Sequence, residues 1–286
     1  MRNFILFITL AFFITTLCAC NNSNNSSTSG TTAMDSTSAK TDSSTIKEEE
    51  VSYSANGIPL KGFIAYSQSD SAKRPGILIV HEWWGLTDYT KNRARQLAKM
   101  GYIAMAVDMY GNGKTASDPK EAQALAQPFY KDPNLAKTRL DAAEDKLKSY
   151  PETDTSKIAA IGYCYGGYVV LNAAKLGESL KGVVSFHGDL SGVAPDKNLL
   201  KAKILVCHGA ADKFVNQQAV DHFRHQMDSV HADYTFKSYA NATHAFTNPA
   251  ATDLGKKFNM PIAYNAEADK DSWNDMKNFL NNLFGK

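Results

Sequence analysis

The chain has 286 residues, of which 43% are apolar and 21% charged, with a formal net charge of +2. That is enough apolar residue for one large core, and neither the charge balance nor any basic run interleaved with aromatics marks a nucleic-acid partner. Four cysteines, Cys18, Cys20, Cys164 and Cys207, are too few and too uneven for a disulfide scaffold, and no paired Cys or His spacing marks a metal site.

Arg2 precedes an uncharged apolar stretch, NFILFITLAFFITTLCAC. A positive start, an apolar segment and small residues at its end describe a secretory signal, over residues 1–19, although the length approaches that of a retained span. The ending LCAC resembles the bacterial lipobox, in which Leu17 and Ala19 precede a lipidated cysteine, here Cys20. That resemblance implies an exported protein held to the membrane of the cell envelope by a lipid on Cys20. Residues 20–46 are mostly Ser, Thr and Asn up to the acidic entry, with too little apolar surface to offset the entropy of ordering. They read as a disordered tether, and residues 47–286 as one folded domain.

The folded part opens with strand-like alternation on both sides of Asn56-Gly57, a hairpin signal. GILIV and YIAMAVD are short continuous apolar runs, expected of strands buried on both faces. Between them, residues 88–100 carry helix formers and no proline. Asp118-Pro119 with Glu121, and Asp132-Pro133, each place a capping carboxylate before proline at the first helical position. After the second, Leu135, Ala136, Leu140, Ala143 and Leu147 recur at helical spacing. KIAAIGY, GVVSFHG, AKILVCHG and YTFKSYA continue as strands. Helices are expected over 165–176, 215–230 and 265–284. Short buried strands alternating with helices predict an α/β protein with a mostly parallel central sheet covered on both faces, mixed through its opening hairpin.

Cys164 lies between the strand KIAAI and the helix YGGYVVLNAAKL, flanked by Gly162, Gly166 and Gly167. A nucleophile on a strained strand-to-helix turn needs such small neighbours. The helix N-terminus behind it favours thiolate and aims the Tyr165 N–H at an oxyanion. A phosphate-binding loop would need a Gly-Lys-Ser/Thr ending that this stretch lacks. In chain order Asp212 follows the strand AKILVCHG and His244 follows YTFKSYA. Nucleophile, acid, histidine is the order of an α/β-hydrolase, each group just past the C-terminal end of a strand. A disulfide between Cys164 and Cys207 needs Cα atoms within about 7 Å. The strand GVVSFHG separates theirs, leaving roughly two spacings of about 4.8 Å.

With these landmarks, together with HEWWGL, VDMYG, HGAAD and HAF, residues 52–284 resemble the dienelactone hydrolase family of α/β-hydrolases, with cysteine in place of the superfamily's usual serine. The resemblance implies that Glu82 sits beside the nucleophile and helps switch it between thiol and thiolate. It implies that the N–H groups of Trp83 and Tyr165 form the oxyanion hole, and that no cofactor is needed. Trp83, Trp84, Tyr163, Tyr165 and Phe246 are expected in an apolar pocket, with His81 holding its loop. Family members acting on dienelactone hold its carboxylate with two arginines, at positions that here correspond to Asn112 and Asn248. A neutral amide cannot supply a guanidinium's bidentate grip. The expected activity is therefore cleavage of a small carboxylic ester or lactone other than dienelactone, by a monomer or small homo-oligomer. Acyl or thioester transfer on the same fold, and a non-catalytic envelope binding lipoprotein, are the alternatives.

Overall fold

A computed structural model describes residues 45–68 and 72–285. The expected signal segment, Cys20 and nearly all of the expected tether lie outside the described residues. The first strand, β1 (Ile46–Ala55), is joined to β2 (Ile58–Ser67) by Asn56 and Gly57. Both turn residues have positive φ, 49° and 75°. That is what a two-residue type I′ hairpin requires, and Ala55 pairs directly with Ile58. The remaining strands are β3 (Arg74–Val80), β4 (Ile103–Val107), β5 (Thr153–Tyr163), β6 (Gly182–Phe186), β7 (Lys203–Gly209) and β8 (Tyr234–Tyr239). They form one sheet in the order β1-β2-β4-β3-β5-β6-β7-β8. The pairs β1/β2 and β2/β4 are antiparallel, and every pairing from β4 through β3 to β8 is parallel.

Alternate residues of each central strand feed two separate cores, as strand geometry demands. Leu78 and Val80 join one, Ile77 and Ile79 the other. The first core is covered by α2 (Pro119–Lys131), α3 (Pro133–Lys148), α4 (Tyr165–Lys175) and α5 (Gln217–Ser229). The second is covered by α1 (Asp88–Lys99) and α7 (Ala266–Phe284). The predicted caps are formed. Asp118 accepts the Glu121 N–H, and Glu121 reaches back to the Ser117 N–H and hydroxyl. Asp132 accepts the Asn134 N–H. One helix is unpredicted, α6 (Ala251–Phe258), which begins without a capping side chain and contains Gly255.

β6 separates β5 from β7, so Cys164 and Cys207 stand apart and both are free thiols. Cys207 is fully buried on the α7 side, and burial pushes its thiol up to about 12.

Candidate active site

Cys164 occupies the single position between β5 and α4, with φ 55° and ψ −116°. That backbone is unfavourable for any side chain and persists only where its surroundings hold it. A Cβ on Gly162 would collide with the Gly166 carbonyl, and one on Gly166 with the Val80 carbonyl at the end of β3. The turn is thus closed between two backbones, and only glycine permits that approach. The Cys164 N–H donates to the Phe186 carbonyl at 2.9 Å and to Nδ1 of His187 at 3.1 Å. Accepting there leaves His187 its proton on Nε2, which meets Thr247 Oγ1 at 2.7 Å. Thr247 Oγ1 is also 2.7 Å from the Tyr89 hydroxyl. Burial holds His187 well below its ordinary value, so it is a neutral prop for the turn.

The loops after β7 and β8 deliver the partners. His244 Nε2 lies 3.0 Å from the Cys164 sulfur, and His244 Nδ1 lies 2.8 Å from Asp212 Oδ2. The other Asp212 oxygen accepts the N–H groups of Phe214 and Val215, at 2.8 and 3.2 Å, which fixes the carboxylate plane. Burial alone would lower His244, but negative charge on Cys164 and Asp212 holds it well above its usual value. Burial alone would likewise raise Asp212; the hydrogen bond and charge of His244 bring it below the ordinary carboxylate range. Both shifts favour the imidazolium form over the neutral ring.

The loop after β3 supplies the opposite wall. His81 is fully buried, spans the Glu82 carbonyl at 2.5 Å and the Met109 N–H at 3.4 Å, and is lowered to about 4 by burial. It therefore anchors the loop as a neutral ring. Tyr110 donates to the Trp83 carbonyl at 2.9 Å. Glu82 is 4% exposed, accepts the Asn248 amide at 2.6 Å, and burial raises it to about 7. Tyr165 buries its ring completely, so only its backbone can serve the site. As the first residue of α4 its N–H has no carbonyl to meet within the helix.

These groups surround a cavity of about 240 Å³ reaching Glu82, Trp83, Trp84, Cys164 and His244. Tyr163, Phe246, Asn112 and Asn248, expected in the pocket, lie outside its lining. Tyr163 and Phe246 are fully buried in the core on the α7 side of the sheet; strand alternation along β5 turns Tyr163 away from the cavity, and Phe246 sits in the turn after His244. Asn112 is exposed at a turn with φ 57°, where the Asp108 carboxylate gathers the N–H groups of Tyr110, Gly111 and Gly113. Asn248 stands behind Glu82 and outside the cavity lining. The sequence reading missed Tyr130, Asp189, Phe214, Met260 and Ile262, which complete the wall. Asp189 and Phe214 lie in loops after β6 and β7, so the rule that sites gather at parallel strand ends would have found them. Tyr130 comes from the end of α2, and Met260 and Ile262 follow α6; no local signal marks them.

Residues 60–284 match the family model described as the dienelactone hydrolase family. The chain belongs to the dienelactone hydrolase family. This dienelactone hydrolase-family chain is 28% identical over 229 residues to protein usf of Aquifex pyrophilus, covering 78% of this chain and 94% of that one. It is 27% identical over 209 residues to a "putative carboxymethylenebutenolidase" of Aquifex aeolicus, covering 71% and 89%. Among solved structures it resembles the dienelactone hydrolase-like promiscuous phosphotriesterase P91 from metagenomic libraries. There the identity is 34%, the coverage 83% of this chain and 98% of that one, and the TM-score 0.78. The solved structure of m3DLH matches at 33% identity over 84% of this chain and 99% of that one, with a TM-score of 0.79. The mixed sheet with helices on both faces is thus the α/β-hydrolase fold of this family, and the protein is a dienelactone hydrolase-like hydrolase.

Proposed function

We propose that this family member cleaves a small carboxylic ester or lactone through a Cys-His-Asp triad and an acyl-enzyme. The observation that carries the reading is the continuous chain from the Cys164 sulfur through His244 to Asp212, at 3.0 and 2.8 Å, opening on one cavity. The thiolate of Cys164 attacks the substrate carbonyl. The N–H groups of Trp83 and Tyr165 receive the oxyanion, where fixed dipoles stabilise charge as it develops. His244 gives its proton to the departing alkoxide as the tetrahedral adduct collapses to a thioester. It then takes a proton from water, which attacks the thioester carbonyl and releases the acid and free thiolate. Asp212 fixes the imidazole tautomer throughout. Glu82, buried beside the site and poised near neutrality, sets the charge that the sulfur meets before substrate arrives.

The reading is tested by hydrolysis of a chromogenic short-chain ester by the full-length protein beside Cys164→Ala. The variant is expected to lose at least about 10³-fold in kcat, as removal of a nucleophile from such a unit does. Equal rates in the two proteins would overturn the assignment.

A further inference from the structure

The charge of the cavity carries information about substrate that the triad does not. Its walls present four aromatic rings, from Trp83, Trp84, Tyr130 and Phe214, and two carboxyl groups, Glu82 and Asp189. No lysine or arginine lines it, and the basic group that does, His244, is paired with the Cys164 sulfur and the Asp212 carboxylate. Glu82 belongs to the reaction centre, where Asn248 already holds it. Asp189 does not. It lies on the loop after β6, half-buried, and its Oδ1 accepts the Ser191 N–H at 2.8 Å. That bond fixes the carboxylate while its Oδ2 has no hydrogen-bond or ion-pair partner among the described residues. Lys175, the last residue of α4, is lowered to about 8 by burial although Asp189 favours its charge; it makes no ion pair with Asp189 and is not part of the lining.

A fixed carboxylate in a partly desolvated pocket repels a second carboxylate far more strongly than it would in water. The faces of Trp, Tyr and Phe attract a cation on the same grounds of charge, because the ring quadrupole is negative there. Both features point to one sign. We propose that the cavity selects esters bearing an alkylammonium group, held between Asp189 and the rings of Tyr130, Phe214 and Trp83, and turns away esters bearing a carboxylate. The proposal rests on the ester-cleaving reading above and names its substrate class.

The test uses three 4-nitrophenyl esters of matched size, with acyl chains ending in trimethylammonium, tert-butyl and carboxylate. The full-length protein is expected to give the cationic ester at least a tenfold higher kcat/KM than the neutral one, and the anionic ester at least a tenfold lower value. The cation-to-anion ratio should fall as salt is added. Asp189→Asn keeps an acceptor for the Ser191 N–H and should reduce that ratio at least tenfold; Asp189→Lys should invert it. A wild-type ratio near one, or the same ratio in Asp189→Asn, would overturn the proposal. Hydrolysis of the neutral ester that disappears in Cys164→Ala keeps the triad reading intact in that event. If no ester turns over, the triad reading fails, and binding of the cationic and anionic esters to Cys164→Ala, read by tryptophan fluorescence, still decides the charge preference.

Discussion

At the scale of single residues, Glu82 carries the sharpest consequence. Burial raises it from the ordinary 4.5 to about 7, although the Asn248 amide, His244 and Arg93 all favour its charged form. Between those values the unfolded carboxyl has lost its proton and the folded one keeps it. Stability therefore falls as pH rises through that window and is level on either side. The difference corresponds to about 3 kcal/mol. Glu82→Gln keeps the oxygen that accepts from Asn248 and removes the titration. It should match wild type near pH 4.5 and exceed it by up to about 3 kcal/mol at pH 8, measured as urea unfolding free energies. Parallel pH dependence in the two proteins would show that Glu82 titrates normally. The three residues of the proposed triad were legible in the sequence because each lies in the loop just past the end of a strand. The place of Glu82 came only from resemblance, and its partner Asn248 had been assigned to the pocket wall. Nothing in the spacing of HEWWGL and HAFTN shows that the two loops meet.

At the scale of elements, the turn around Cys164 shows how glycine serves two different physical needs. Gly57, at the β1–β2 hairpin, is required for its φ of +75°, and an added Cβ there meets nothing within 4 Å. Gly166 has room for no Cβ, because the Val80 and His81 carbonyls face it. Gly57→Ala should cost about 1 kcal/mol from backbone strain alone. Gly166→Ala should cost about 1–3 kcal/mol and disturb the loop that carries Glu82 and Trp83. Urea midpoints of the two variants separate strain from packing, and a Gly166→Ala protein as stable as wild type would contradict the packing account. The strands and longer helices were readable because buried runs and Asp-Pro caps repeat a strong local pattern. Helix α6 was not. Eight residues with Gly255 inside and Ala250 at the cap give neither periodicity nor a start signal. Tertiary contact holds it instead, with Phe258 stacked on Trp84 at 5.8 Å and Ile262 bridged to His244. The missing helix explains the missing pocket residues that follow it.

At the scale of the whole molecule, the parallel run β4-β3-β5-β6-β7-β8 brings the ends of five strands, β3 and β5 to β8, to one rim. The loops there supply Glu82, Cys164, Asp189, Asp212 and His244. The order of Cys164, Asp212 and His244 along that rim was visible from sequence, because parallel strands leave their loops on a common edge. The sorting of side chains to one face of the sheet or the other was visible only in part. Tyr163 and Phe246 were assigned to the cavity by nearness in sequence, whereas the two cores place them beneath it with α7. Which side of the sheet receives α1 and α7 is set by long-range connections, and a local pattern does not encode it.

The central claim is that Cys164 becomes acylated, and the most direct measurement is a rapid-quench time course with a 4-nitrophenyl ester followed by peptide mass analysis. The account predicts one acyl group on the peptide containing Cys164, formed within the first turnover, decaying at the steady-state rate and absent from Cys164→Ala. Full turnover with no adduct at any time, or an adduct on another residue that follows the same kinetics, would contradict it.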